Sequence, residues 1–187
     1  MDRHTDITKP AAPTNDADAI YLQLKALVRA VIRGHRHPGL LQTTAIVHET
    51  WLRLSKLELM SEKRQCREEL AALAGSVIRS VLLDEAKREN RKKRGGGWQR
   101  VPIAAADLVN GTTAPTVDIM ELDAALRELA ELDSRAARIV EMRFFGGMSV
   151  EATAVALGVS ERTVKSDWQR ARAFLRVRLA KHMERGD

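Results

Sequence analysis

Apolar residues recur along this chain at helical spacing, and no stretch alternates as a β-strand would. Ile20, Leu24, Leu27, Val28, Val31 and Ile32 share one face of a helix that begins near Asp16 and ends at Gly34, with Pro38 and Gly39 beyond. A second helix follows Thr43 or Thr44, with Ile46, Val47, Thr50, Trp51 and Leu54 on one side. A third and longer one runs from about Gln65 to Arg91 and carries a stripe of Leu70, Leu73, Ala74, Val77, Ile78, Val81 and Leu82. Three such helices can bury their stripes on one another as a small bundle. The period then lapses. Residues 95–116, GGGWQRVPIAAADLVNGTTAPT, are rich in Gly, Pro, Thr and Ala and read as a flexible linker. Residues 1–15, with Pro10, Pro13 and small polar residues, read as a disordered tail.

Periodicity resumes at Ile119, Leu122, Leu126 and Leu129, a fourth helix. A fifth follows an Asp133 cap, carries Ile139, Val140 and Phe144, and stops at Gly146-Gly147. From Met148 to Leu179, Val150, Ala154 and Leu157 fall on one helical face. Gly158-Val159-Ser160 interrupts it, and Val164, Trp168, Ala171 and Leu175 resume it. Ser149 and Ser160 stand where a hydroxyl can accept from an unpaired first-turn amide, and Gly158 where the chain must turn through a left-handed conformation. Two short helices around a tight turn form a helix-turn-helix. With the apolar residues turned inward, the second helix presents Arg162, Lys165, Ser166, Gln169, Arg170 and Arg172, types that reach base edges or phosphates in a major groove. The expected fold is therefore all-α. Two small helical domains, residues 16–94 and 117–187, are joined by the linker, and the second is a four-helix domain containing the helix-turn-helix.

Charge sharpens the picture. The 187 residues carry a net charge of +6, which suits a polyanionic partner. Seven basic residues against one acid lie between Lys87 and Arg100, a run that suits either a solvated helix end or a phosphate-contacting surface. Cys66 is the only cysteine, so an intrachain disulfide and a cysteine-based zinc site are both excluded. No apolar run is long enough to cross a bilayer, and the polar N-terminus lacks a signal peptide's apolar centre; a cytoplasmic protein with no membrane contact is expected. Catalytic machinery is not legible. His35 and His37 lie in a Gly/Pro-containing loop without carboxylates at ligand spacing, and the paired acids Glu68-Glu69 and Asp84-Glu85 are helix neighbours that point apart. Neither enzymatic activity, nor a cofactor, nor a metal is expected.

The stretch RIVEMRFFGGMSVEATAVALGVSERTVKSDWQRARAFL, Arg138 to Leu175, resembles the promoter-reading domain of the extracytoplasmic-function (ECF) sigma factors of bacterial RNA polymerase. LLQTTAIVHETWLRL and the segment ending VLLDEAKRENRKKRGGG are similar to the N-terminal domain of that family. The resemblance implies partners: core RNA polymerase, promoter DNA and, as a further candidate, an anti-sigma factor. It also implies site residues. Val47, His48, Glu49 and Trp51 match polymerase-binding positions. Arg79, Ser80, Asp84, Lys87, Arg88 and Arg91 match the helix that meets the minus-ten element, and Arg162, Thr163, Lys165, Ser166, Gln169, Arg170 and Arg172 fall on the helix that reads the minus-thirty-five element. Two other readings stand beside it: a polymerase-independent helix-turn-helix regulator, and a degenerate sigma-like interaction protein. The second draws on Leu70-Ala71, which stands where the related subgroup often carries an aromatic pair.

Overall fold

Each apolar stripe becomes one buried face of a helix. The computed structural model describes residues 16–32, 43–56, 67–92, 102–104 and 116–183. Helix α1 (Asp16–Val31) buries Leu24, Val28 and Val31; α2 (Thr43–Lys56) buries Ile46, Val47, Thr50 and Leu54; α3 (Arg67–Lys92) buries Ala74, Val77, Ile78, Val81, Leu82 and Ala86. These three helices pack on one another with α2 touching both neighbours. The expected N-terminal tail, the loop after α1, the end of the basic run beyond Lys92 and most of the expected linker lie outside the described residues.

A short strand inside the segment expected to be a flexible linker pairs with one at that segment's end. Strand β1 (Pro102–Ala104) runs antiparallel to β2 (Thr116–Asp118), with Ile103 opposite Val117. Three-residue strands are too short to show a period of two, which is why no alternation marks them in the sequence. Apart from these strands and the short turns at 133, 146–149 and 158–160, the described residues beyond the end of the first helix are helical.

The second half begins at α4 (Ile119–Leu132), capped by Asp118, whose carboxylate accepts from the Met120 amide at 2.7 Å. Asp133 then ends α4 and starts α5 (Ser134–Val140), accepting from the Ala136 amide at 2.9 Å. The helix does not continue regularly to the double glycine. Glu141–Phe145 form a π-helical turn, closed by the Gly146 amide donating to the Glu141 carbonyl at 3.0 Å. Such turns accommodate one extra residue within a helix and are common at functional positions. Helices α6 (Val150–Leu157) and α7 (Glu161–Met183) complete the chain. Phe145 is fully buried and belongs to a cluster that runs from Leu24, Val28 and Ile78 through Leu122 and Leu126 to Leu175 and Leu179. One continuous core therefore joins the three N-terminal helices to the C-terminal ones.

Candidate nucleic-acid interface

Helices α6 and α7 are set by their punctuation. The Ser149 hydroxyl accepts from the Ala152 amide at 3.1 Å, and the Ser160 hydroxyl from the Thr163 amide at 3.1 Å. Gly158 closes α6 at φ 63°, ψ 34°, the left-handed region where a side chain is strained. A small core of Ile139, Ala154 and Val164 locks the two helices together, with Trp168 packed against it. Arg143 lies over the Trp168 ring, 4.3 Å from its centroid.

The outward face of α7 is thereby held rigid. Arg162, Ser166 and Gln169 are exposed and engaged by no described residue; Lys165 is exposed and paired with Glu161 at 3.1 Å. Thr163 is half-buried, its hydroxyl 2.8 Å from that of Ser160. Arg170 stands at the edge of this face, paired with Asp167 at 2.6 Å and Asp133 at 3.3 Å. Arg172 is different: it is half-buried on the inner flank, with Nε enclosed and unpartnered by any hydrogen bond. At the start of α6, the Glu151 carboxyl is held below the usual carboxylate range. Its own backbone N–H contributes most, then the Ser149 hydroxyl, with Lys165 and Arg143 adding attraction.

Two residues on this domain carried no signal of their own in the sequence. Asp167 is 2% exposed, and besides Arg170 it receives the Arg135 guanidinium at 2.7 Å. The Asp167 carboxylate raises Arg135 above its ordinary value. One buried acid thus fixes a guanidinium from α5 and one from α7 side by side. Arg135 and Asp167 lie 32 residues apart, so only the fold brings them together.

In the first half, a groove of about 340 Å³ separates α2 from α3, floored by Ile46 and Val81 and rimmed by Glu49, Arg53, Asp84 and Arg88. Arg53 spans it, reaching Glu49 at 2.8 Å, Asp84 at 2.9 Å and the Ser80 hydroxyl at 3.0 Å. Glu49, and behind it Asp84, push that guanidinium above its ordinary value against the opposing effect of burial. The Glu49/Arg53 spacing of four was the available hint of Arg53. Ser80, Asp84, Arg88 and Arg91 recur at helical spacing along the exposed side of α3, with Arg88 paired to Glu85. Lys87 is half-buried. On α2, His48 is exposed and Trp51 is half-buried against Tyr21, ring centroids 6.2 Å apart; the Val47 side chain is 0% exposed and belongs to the core.

Arg79 stands apart from its sequence companions. It points from another side of α3 into the C-terminal half, donating to Asp123 on α4 through Nε at 3.0 Å and Nη2 at 2.7 Å, and through Nη1 to Glu141 of the π-turn. The six α3 positions matched to the minus-ten element therefore occupy two surfaces, one open and one covered.

A family model described as ECF sigma factor matches residues 12–181. No curated protein matches the sequence. Among solved structures, the sigma factor RpoE of Bartonella quintana, crystallised in complex with the anti-sigma factor NepR, is similar over 88% of this chain and 94% of that one, at 17% identity and a TM-score of 0.38.

Proposed function

Since the chain belongs to the ECF sigma factor family, we propose that its two halves divide the work of bringing core RNA polymerase to a promoter. Helices α2 and α3 engage polymerase and the minus-ten element, and α7 reads the minus-thirty-five element in the major groove. The observation that carries this reading is the outward face of α7. Arg162, Ser166 and Gln169 are exposed and engaged by no described residue, on a helix whose start, turn and inner face are all fixed, so donors and acceptors are preorganised for base edges.

Phosphate contacts supply salt-dependent affinity, and base contacts supply choice. The Arg135–Asp167–Arg170 cluster, at the border of the recognition face, suits a backbone contact that sets register. In the groove, acids and arginines balance, so Arg53 acts to hold α2 against α3 and to present His48 and Glu49 toward polymerase. The chain performs no reaction of its own; polymerase supplies the chemistry. Among the described residues no group of three or more His, Cys, Asp or Glu is placed to hold a metal, and no helix is long and apolar enough to cross a membrane. A cytoplasmic site of action follows from the partner, and an anti-sigma factor is a further partner of the kind proposed.

Run-off transcription with core RNA polymerase and genomic fragments tests the reading. New start sites dependent on this chain are expected. Co-elution with polymerase without transcripts would replace it with a sigma-like interaction protein, and operator binding without polymerase would replace it with a stand-alone regulator.

A further inference from the structure

Between the two halves the backbones come unusually close. A Cβ on Gly75 of α3 would lie 2.7 Å from the Glu141 carbonyl oxygen and 2.9 Å from the Gly146 nitrogen, and one on Gly146 would lie 2.6 Å from the Ala71 carbonyl oxygen. One helical turn along α3 from this contact, Arg79 is enclosed with its two carboxylates, at side-chain exposures of 16% for Arg79, 9% for Asp123 and 24% for Glu141. A guanidinium fork fits carboxylate and phosphate oxygens by the same geometry. We propose that Asp123 and Glu141 occupy, on this side of α3, the place of nucleic-acid phosphates, so that closure of the chain on itself and phosphate binding by Arg79 exclude one another. This rests on the reading of α3 as a DNA-facing helix.

The pairing is built to be released. Asp123 keeps a second partner on its own helix, Arg127 at 2.9 Å, whose side chain is 65% exposed. When Arg79 leaves, Arg127 still compensates the Asp123 carboxylate, a phosphate compensates Arg79, and Glu141, at 24% exposure the more accessible of the two acids, is left to solvent. Arg88, paired with Glu85 at its own surface, and Arg91 stay exposed in the closed chain, which leaves a first landing surface for a polyanion that then competes for Arg79. The closed form is held by the shared apolar core, by these charge contacts and by the close backbone approach at two glycines, and the last two can be altered without touching the outward face of α7.

The test uses the full chain with Cys66→Ser and a fluorophore pair at Ser55→Cys and Glu131→Cys, two exposed positions on α2 and α4. Gly75→Leu changes no charge, and the nearest atoms to its Cβ, the Glu141 carbonyl oxygen and the Gly146 nitrogen and Cα, belong to the C-terminal half. It is expected to lower energy transfer and to steepen the salt dependence of binding to a short random-sequence duplex by about 0.9 in log–log slope, one added phosphate contact. Adding Arg79→Ala to Gly75→Leu should return the slope to that of the parent while transfer stays low. Asp123→Asn with Glu141→Gln provides a second route to the same two readouts. Low transfer with an unchanged slope would overturn the proposal, as would transfer that neither variant lowers. Failure of the parent chain in run-off transcription would instead strike the sigma reading, and the transfer and slope results would stand independently of it.

Discussion

At the residue scale, the proposed promoter reading rests on exposed α7 side chains that no described residue engages. Arg162 is the clearest case, exposed at the first turn of α7. Arg162→Ala should weaken binding to a matched promoter fragment by about 1–3 kcal/mol if the contact is bidentate to guanine, read by fluorescence anisotropy. Its neighbour across the turn titrates. Because the folded pKa of Glu151 is depressed, its contribution to stability is present above the unfolded carboxylate value of about 4.3 and is lost as pH falls through the folded value. A carboxyl NMR titration should place Glu151 below the ordinary glutamate value, and Ser149→Ala should move it upward.

At the element scale, caps decide where helices turn. Asp133 ends α4, starts α5 and touches Arg170. Asp133→Ala should cost about 1 kcal/mol in urea unfolding, the usual worth of an N-cap, with a larger loss in DNA affinity if Arg170 is a phosphate contact. Gly158→Val, which puts a β-branched residue at φ 63°, should cost about 1–2 kcal/mol and disturb the angle between α6 and α7. These elements were legible in the sequence because each carries its own local signal. The Asp133, Ser149 and Ser160 caps, the Gly158 turn and the 3.6-residue period all act within a few residues. The π-turn at Glu141–Phe145 was not legible, because one extra residue per turn leaves Ile139, Val140 and Phe144 looking like an ordinary helical stripe. Nor were β1 and β2, whose pairing joins segments 14 residues apart.

At the scale of the whole molecule, Phe145 sits where the two halves meet, fully buried, with its ring edge-on to Phe144 at 4.8 Å between centroids. Phe145→Ala should destabilise the chain by about 3–5 kcal/mol, measured by chemical denaturation, because the cavity would open in a core shared by both halves. That sharing also explains how two candidate surfaces can be held in one body while one of them, around Arg79, is covered.

The sequence by itself determined the helices, their buried faces and the helix-turn-helix, since periodicity, capping and turn chemistry are local properties of consecutive residues. It also supplied most of the outward residues of α7, because side-chain direction along a capped helix follows from spacing alone. Tertiary structure alone decided which of those residues are free. Arg79 and Asp123 are 44 residues apart, Arg53 and Asp84 are 31, and Arg135 and Asp167 are 32. Val47 and Arg172 lie on helices read correctly, yet the first is in the core and the second on an inner flank. No local pattern encodes such pairings, because an ion pair depends on which helix faces come together, and that is settled only when the apolar stripes have found one another.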